Sequence, residues 1–294
     1  MENDVRRNTL LISLGTLILS LLIVFLNAIV RFWFMNKSNK AQHFRMLLVK
    51  LVFDMAFAVC LIAHDAFVVL NISDLLTSIP YIFYSGCVVK AFMALMGPLS
   101  LVIALDRLAA MRKPIQYSNL LAKPIFKISV VLLVFLYPVL LFLFCLARNK
   151  ETKKSFLLAT YYNFKIVSPL NIVSIIGFLL SLSATVVFLL EFRQFSLRKT
   201  ENHMRSYVHN VKLANKIVIC QMISEFVFII SAYVAEEIVQ RTTGKTISHF
   251  IGPFTFPMHV LYVTVCSVSL FVMMGRKYKT ASNVVITNLS ANIS

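Results

Sequence analysis

Acidic side chains are scarce in this chain: 12 aspartates and glutamates stand against 29 lysines and arginines in 294 residues, a formal charge of +17. Charge of either sign is scarce too. It makes up 14% of residues, against about 25% in an ordinary soluble domain, too few to cover a soluble surface. Glycine and proline number 7 and 8, which excludes collagen-like and low-complexity chains. The cysteines, Cys60, Cys87, Cys145, Cys220 and Cys266, lack metal-ligand spacing and lie in or beside apolar runs. They read as small buried hydrophobes, and no metal or cofactor is expected. A basic balance can signal nucleic-acid binding, but that needs a solvated basic face. Here the charges sit between apolar runs, so the expected partner is a lipid bilayer and not nucleic acid.

What is abundant is apolar length: 59% of residues are hydrophobic, and mean hydropathy is +0.81. A membrane-spanning helix needs about 20 consecutive apolar residues. Seven runs qualify: Thr9–Val30, Leu47–Leu70, Tyr81–Leu105, Phe126–Ala147, Ile166–Leu190, Ile217–Val239 and Phe250–Met274. The first is too long for a signal-peptide core and lacks a cleavage-like end, so it reads as an anchor that stays. Pro253, Pro257 and His259 interrupt the seventh. No repeat or long linker divides the chain. The expectation is an all-α membrane protein, a single seven-transmembrane-helix bundle over residues 1–294 with a short tail at 275–294.

Lysine and arginine set the orientation. About two-thirds of them fall in segments following runs one, three, five and seven, with Arg193, Arg198, Lys199, Arg205, Lys212 and Lys216 the densest group. That side is expected to be cytoplasmic, with the N-terminus extracellular and the C-terminus cytoplasmic. Asn71-Ile72-Ser73 is then an external glycosylation sequon. Asn288 and Asn292 open similar triplets on the cytosolic side, where they would be inert.

A charged knot ends the third run. Asp106-Arg107 is followed by Ala110, Pro114, Ile115 and Tyr117. An arginine at a membrane boundary is costly unless paired or snorkelled. Asp106 can hold Arg107 at rest, and separating the helices would free it to face a cytosolic partner. Upstream, Asn27 lies near the inner end of run one. Asp54 lies about 10 Å inside run two at 1.5 Å per residue. A buried carboxylate there needs a partner or a proton.

The knot resembles the inner end of the third helix and the following loop of rhodopsin-like G-protein-coupled receptors, with Leu108 in place of the tyrosine of their Asp-Arg-Tyr triplet. The separations of Asn27, Asp54 and Arg107 are similar to theirs. The resemblance implies that Asp106, Arg107, Pro114 and Tyr117 form the G-protein-coupling switch. It also implies an ion site at Asp54, although a structural hydrogen bond fits that acid as well. The chain departs from the family elsewhere. Arg148–Lys165 has no cysteine to pair with Cys87, run four has no tryptophan, run six no proline, and run seven no Asn-Pro-x-x-Tyr end. These departures exclude a typical amine, opsin or peptide receptor. Phe44-Arg45 leading into Leu51-Val52-Phe53-Asp54, together with Ala104-Leu105-Asp106-Arg107, most resembles the nematode serpentine chemoreceptors of class BC. That likeness implies a plasma-membrane protein of sensory-neuron cilia. It implies detection of a small external molecule and signalling through a heterotrimeric G protein.

For the ligand, Lys90 stands out, about 13 Å in from the outer end of run three. A lysine at that depth is a functional candidate, as partner to a ligand anion or to a protein acid. His64 and Asp65 near the outer end of run two, and Glu236 and Glu237 near that of run six, read as wet boundary residues. Of these, His64, Asp65 and Glu236 are kept as ligand-site candidates, with His259 as a deeper, pocket-lining one. Glu225, on the inner half of run six, fits a structural or switching role, paired with Lys216 or groups beside Asn215. A seven-span zinc enzyme would need His and Asp at one depth, and His64, Asp65, Asp54 and His259 are not. A transporter or ligand-gated channel is the alternative to a receptor. The only transporter-like signal is the Gly97-Pro98 break in run three, which has no counterpart in another half.

Overall fold

The computed structural model describes residues 2–35, 45–73, 75, 79–112, 122–148, 158–198, 216–217, 219–244 and 247–291. They are helical throughout, with no strand among them and one isolated backbone bridge, between Arg148 and Tyr162. Apolar chains in lipid have no water to satisfy their amides, so each segment must close its own hydrogen bonds. The helices are α1 (Glu2–Met35), α2 (Arg45–Ile72), α3 (Ile79–Arg112), α4 (Ala122–Leu146) and α5 (Phe164–Arg198). Then come α6 (residues 219–243) and α7 (Thr255–Ala291).

Six of them, α1 to α5 and α7, are long and apolar enough to cross a membrane, which fits a multi-pass membrane protein. Their exposed faces agree. Leu11, Ile18, Leu21, Phe25 and Phe32 line the outside of α1, and Ile128, Val131, Phe135 and Phe142 that of α4. Stripes of that extent face lipid, not water. The inward face of α1 is the polar one: Thr9, Ser13, Thr16, Ser20 and Asn27 recur at helical spacing and are buried.

The sixth apolar run is helical but irregular. It is α-helical to Ser224, π-helical over Glu225–Ile230, and α-helical again over Ser231–Thr243. A π turn inserts an extra residue into the ladder and can bend a helix without proline. Gly244 caps the helix in the left-handed region (φ 69°), its amide donating to Gln240 at 2.8 Å.

The seventh run starts later than expected. Residues Ser248–Ile251 form a separate single turn, and Gly252 breaks the chain at φ 96°. Pro253 follows the break, and α7 begins at Thr255. Pro257 and His259 therefore lie in its first turns and do not interrupt it, because a proline there removes an amide that has no helical partner. At its other end α7 runs on to Ala291, so most of the expected tail extends the helix.

Helix α3 is the hub, packed on α2, α4 and most extensively on α5. Gly97 is the point of closest approach: a Cβ there would lie 3.0 Å from the Ser174 carbonyl oxygen and 3.3 Å from the Phe178 nitrogen. Across the contact, a Cβ on Gly177 would meet Pro98 at 3.3 Å. Small residues let two backbones touch in this way. The Gly97-Pro98 pair is thus a packing point and not a break, since α3 continues through it.

Candidate functional site

Buried polar side chains form two clusters along the bundle. One lies toward the end carrying Tyr161, the other toward the end carrying Arg107.

The first is built on Lys90 of α3, which is buried. Its ammonium donates to Thr255 Oγ1 at 3.1 Å and stands 5.4 Å from the centre of the Phe256 ring. The charge of Glu236 of α6 acts on it. One turn along α7 from Thr255, His259 is wholly buried, and its Nδ1 lies 2.9 Å from the Thr255 carbonyl oxygen. A carbonyl only accepts, so Nδ1 carries the proton and Nε2 of the neutral ring presents a lone pair. The Tyr233 ring of α6 meets His259 edge-on at 5.5 Å and 86°, which fixes the imidazole plane. Two buried atoms of this cluster, His259 Nε2 and Glu236 Oε2, have no hydrogen-bond partner among the described residues.

His64 joins through packing. Its ring is edge-on to Phe256 at 5.2 Å. Its Nδ1 lies 2.9 Å from Ser85 Oγ, whose own hydrogen goes to the Tyr81 carbonyl at 2.5 Å. Ser85 therefore accepts, and His64 Nδ1 donates. Asp65 turns the other way, toward α1, where the Thr16 hydroxyl donates to it at 2.5 Å. Neither His64 nor Asp65 is the wet boundary residue expected, as both are buried. Glu237 is at the surface side of α6 and takes Arg241 at 2.8 Å.

A loop tether covers this end. The turn Leu158–Tyr161 and Tyr162 pack onto α3, and the Tyr162 hydroxyl donates to Cys87 Sγ at 3.5 Å. Phe83 contacts both Tyr161 and Tyr162, and the Arg148 guanidinium lies 5.5 Å from the Phe83 ring. All five cysteines are free thiols. Aromatic contacts and the Tyr162–Cys87 bond join this loop to α3 among the described residues. Burial holds the Tyr162 phenol well above its ordinary range, so it stays a donor.

The second cluster centres on Tyr262 of α7. Its hydroxyl donates to Glu225 Oε1 at 3.2 Å, and Ser181 of α5 reaches the other oxygen at 3.5 Å. Gln221 Nε2 lies 3.4 Å from both the Tyr262 hydroxyl and Ser100 Oγ. Glu225 therefore bonds across α5 and α7 rather than to Lys216, which is exposed, and Asn215 lies outside the described residues. Next to it, the Lys50 ammonium donates to both oxygens of Asp54, at 2.9 and 2.7 Å, and lies 5.2 Å from the Tyr262 ring centre. The pair settles how Asp54 is satisfied: by the chain's own cation. Asn27 Nδ2 and Ser267 Oγ have no hydrogen-bond partner among the described residues, and both residues line a cavity of about 20 Å³, room for one water.

At the end of α3, Asp106 is buried, Arg107 is half-buried, and neither is without an interaction. Pro114 and Tyr117 lie outside the described residues. At the last residue of α3, Arg112 forms a fork-to-fork pair with Glu191 of α5, with Nε at 2.9 and 3.1 Å from the two oxygens. Asn71 is in the last turn of α2.

Lys50, near the start of run two, is a functional residue that the charge pattern alone does not single out. Its i, i+4 spacing to Asp54 on one helix was the available signal. Thr255, Tyr262, Gln221 and Tyr162 carried none. A lateral cavity of about 730 Å³ opens between α2, α3 and α4, lined by apolar side chains with Arg31 at its rim. None of the candidate ligand residues lines it. Among the described residues no group of three His, Cys, Asp or Glu could hold a metal ion. Compared with known proteins, the chain matches no family model and no curated relative.

Proposed function

We propose that this chain is a seven-helix chemosensory receptor of the plasma membrane that binds a small external molecule and activates a heterotrimeric G protein. In this reading α6 is the seventh crossing segment, the N-terminus is outside, and Arg107 faces the cytosol. One observation carries it. Helix α3 holds Lys90 in a buried polar cluster at one end and the Asp106-Arg107 pair at the other, about 24 Å apart along its axis. Between them lies the network of Tyr262, Glu225, Gln221 and Ser100, which joins α3 to α6 and α7.

A ligand at Lys90 can shift such a bundle only by binding one arrangement better than another. The π turn of α6 carries Glu225 and offers the place where that helix can change its bend. Moving α6 exchanges the Tyr262–Glu225 bond and opens the Arg107 end to a partner. The motif around Asp106 and Arg107, and that from Phe44 to Asp54, support the serpentine class BC reading and a role in sensory cilia.

The test is the nucleotide requirement of the response. In cells expressing the chain, currents or second-messenger signals evoked by a small-molecule panel should vanish when a non-hydrolysable GDP analogue fills the cytosol. A response that persists unchanged would favour a channel and reject the receptor reading.

A further inference from the structure

The Lys90 cluster has an internal charge balance that says what kind of molecule fits it. Lys90 brings one positive charge and Glu236, whose charge acts on it, one negative charge, while Thr255 accepts from Lys90 and the Tyr233 ring stands edge-on to neutral His259. Burial makes any uncompensated charge costly there. A plain anion would satisfy Lys90 and be repelled by Glu236. A plain amine would satisfy Glu236 and be repelled by Lys90. A molecule carrying both groups meets both and adds no net charge.

The hydrogen-bond inventory points the same way. Lys90 has three donor hydrogens and, among the described residues, one acceptor, Thr255 Oγ1, so it has donors to spare. The two buried atoms without partners, His259 Nε2 and Glu236 Oε2, are both acceptors. His259 Nε2 is an acceptor because Nδ1 is committed as donor to the Thr255 carbonyl. The cluster therefore asks for an acceptor at Lys90 and for N–H or O–H donors at Glu236 and His259. The Phe256 and Tyr233 rings supply apolar walls for a short carbon skeleton.

We infer that the Lys90–Glu236–His259 cluster binds a small amphoteric molecule, an amino- or hydroxy-carboxylate, with its carboxylate on Lys90 and its amine or hydroxyl on Glu236 and His259. The inference rests on the receptor reading for its biological use, but binding at the cluster does not depend on a G protein.

The experiment uses the full chain in lipid nanodiscs and reads its thermal unfolding midpoint with added small molecules. The probes are the amino, hydroxy and unsubstituted acids on butyric and caproic skeletons, with the matching plain amines. The amino or hydroxy acids should raise the midpoint, and the plain acids and amines should not. Lys90→Met and Glu236→Gln should each weaken the apparent affinity about ten-fold or more, the loss of one charge-assisted contact. Their unliganded midpoints show whether each variant is folded, and Glu237→Gln, which removes an acid on the surface side of α6 that pairs with Arg241 and lies outside the cluster, is the control that retains binding. Equal shifts with plain acids, or shifts only with amines, overturn the inference. So does a flat response to the whole series. Binding without nucleotide exchange would instead leave the inference standing and reject the receptor reading.

Discussion

Lys50 and Asp54 sit one turn apart on α2, both buried, with the ammonium shared between the two carboxylate oxygens at 2.9 and 2.7 Å. The acid that resembles a sodium-binding aspartate already holds a cation. Its unfolding midpoint should therefore not change when sodium replaces choline in the buffer at constant ionic strength. Lys50→Met would leave a buried carboxylate unpaired and should cost about 3–5 kcal/mol. The double change Lys50→Met with Asp54→Leu should recover most of that loss. A sodium-dependent midpoint in the unaltered chain would show that the pair opens to admit the ion.

The Tyr162–Cys87 contact predicts insensitivity to reductant. With every cysteine free, dithiothreitol should not move the midpoint. Tyr162→Phe removes one hydrogen bond to a weak sulfur acceptor and should cost no more than about 1 kcal/mol. Tyr162→Ala removes a buried ring that packs on Phe83 and Phe144, and should cost about 3 kcal/mol or more. Equal effects of the two substitutions would mean that the hydroxyl, and not the ring, holds the loop.

At the α3–α5 crossing, Gly97→Ala places a methyl 3.0 Å from a carbonyl oxygen that belongs to a helix backbone. The helices must separate, at about 1–3 kcal/mol. Gly15→Ala is the matched control, because a Cβ there meets nothing within 4 Å. Thermal unfolding of the two variants side by side should show a fall for the first and none for the second.

Some of this was legible in the chain and some was not, for physical reasons. The apolar runs were visible because lipid demands about 20 such residues in a row. Their ends were less so: α1 and α5 continue through Glu2–Asn8 and Phe192–Arg198, polar stretches that stay helical outside the apolar window. The π turn at Glu225 left no trace, since nothing in Glu-Phe-Val-Phe-Ile-Ile differs from an ordinary apolar helix. Lys90 announced itself as a cation in an apolar run, but its partner Thr255 is 165 positions away and has no signature of its own. Cys87 meets Tyr162 across 75 positions, and a tyrosine in a loop has no signature that marks it as a partner. Lys50 lay close enough to the end of its run to pass for a boundary charge.

If Arg107 is the cytosolic output of the proposed receptor, guanine-nucleotide exchange depends on it. The chain and its Arg107→Ala variant, reconstituted in vesicles with purified heterotrimeric G proteins of each main class, should differ sharply. With the small-molecule panel added, the unaltered chain should speed GDP release from one class above the rate with empty vesicles. The variant should not, while unfolding at the same temperature. Exchange that is the same with both proteins, or absent for every class with the unaltered chain, would contradict the account.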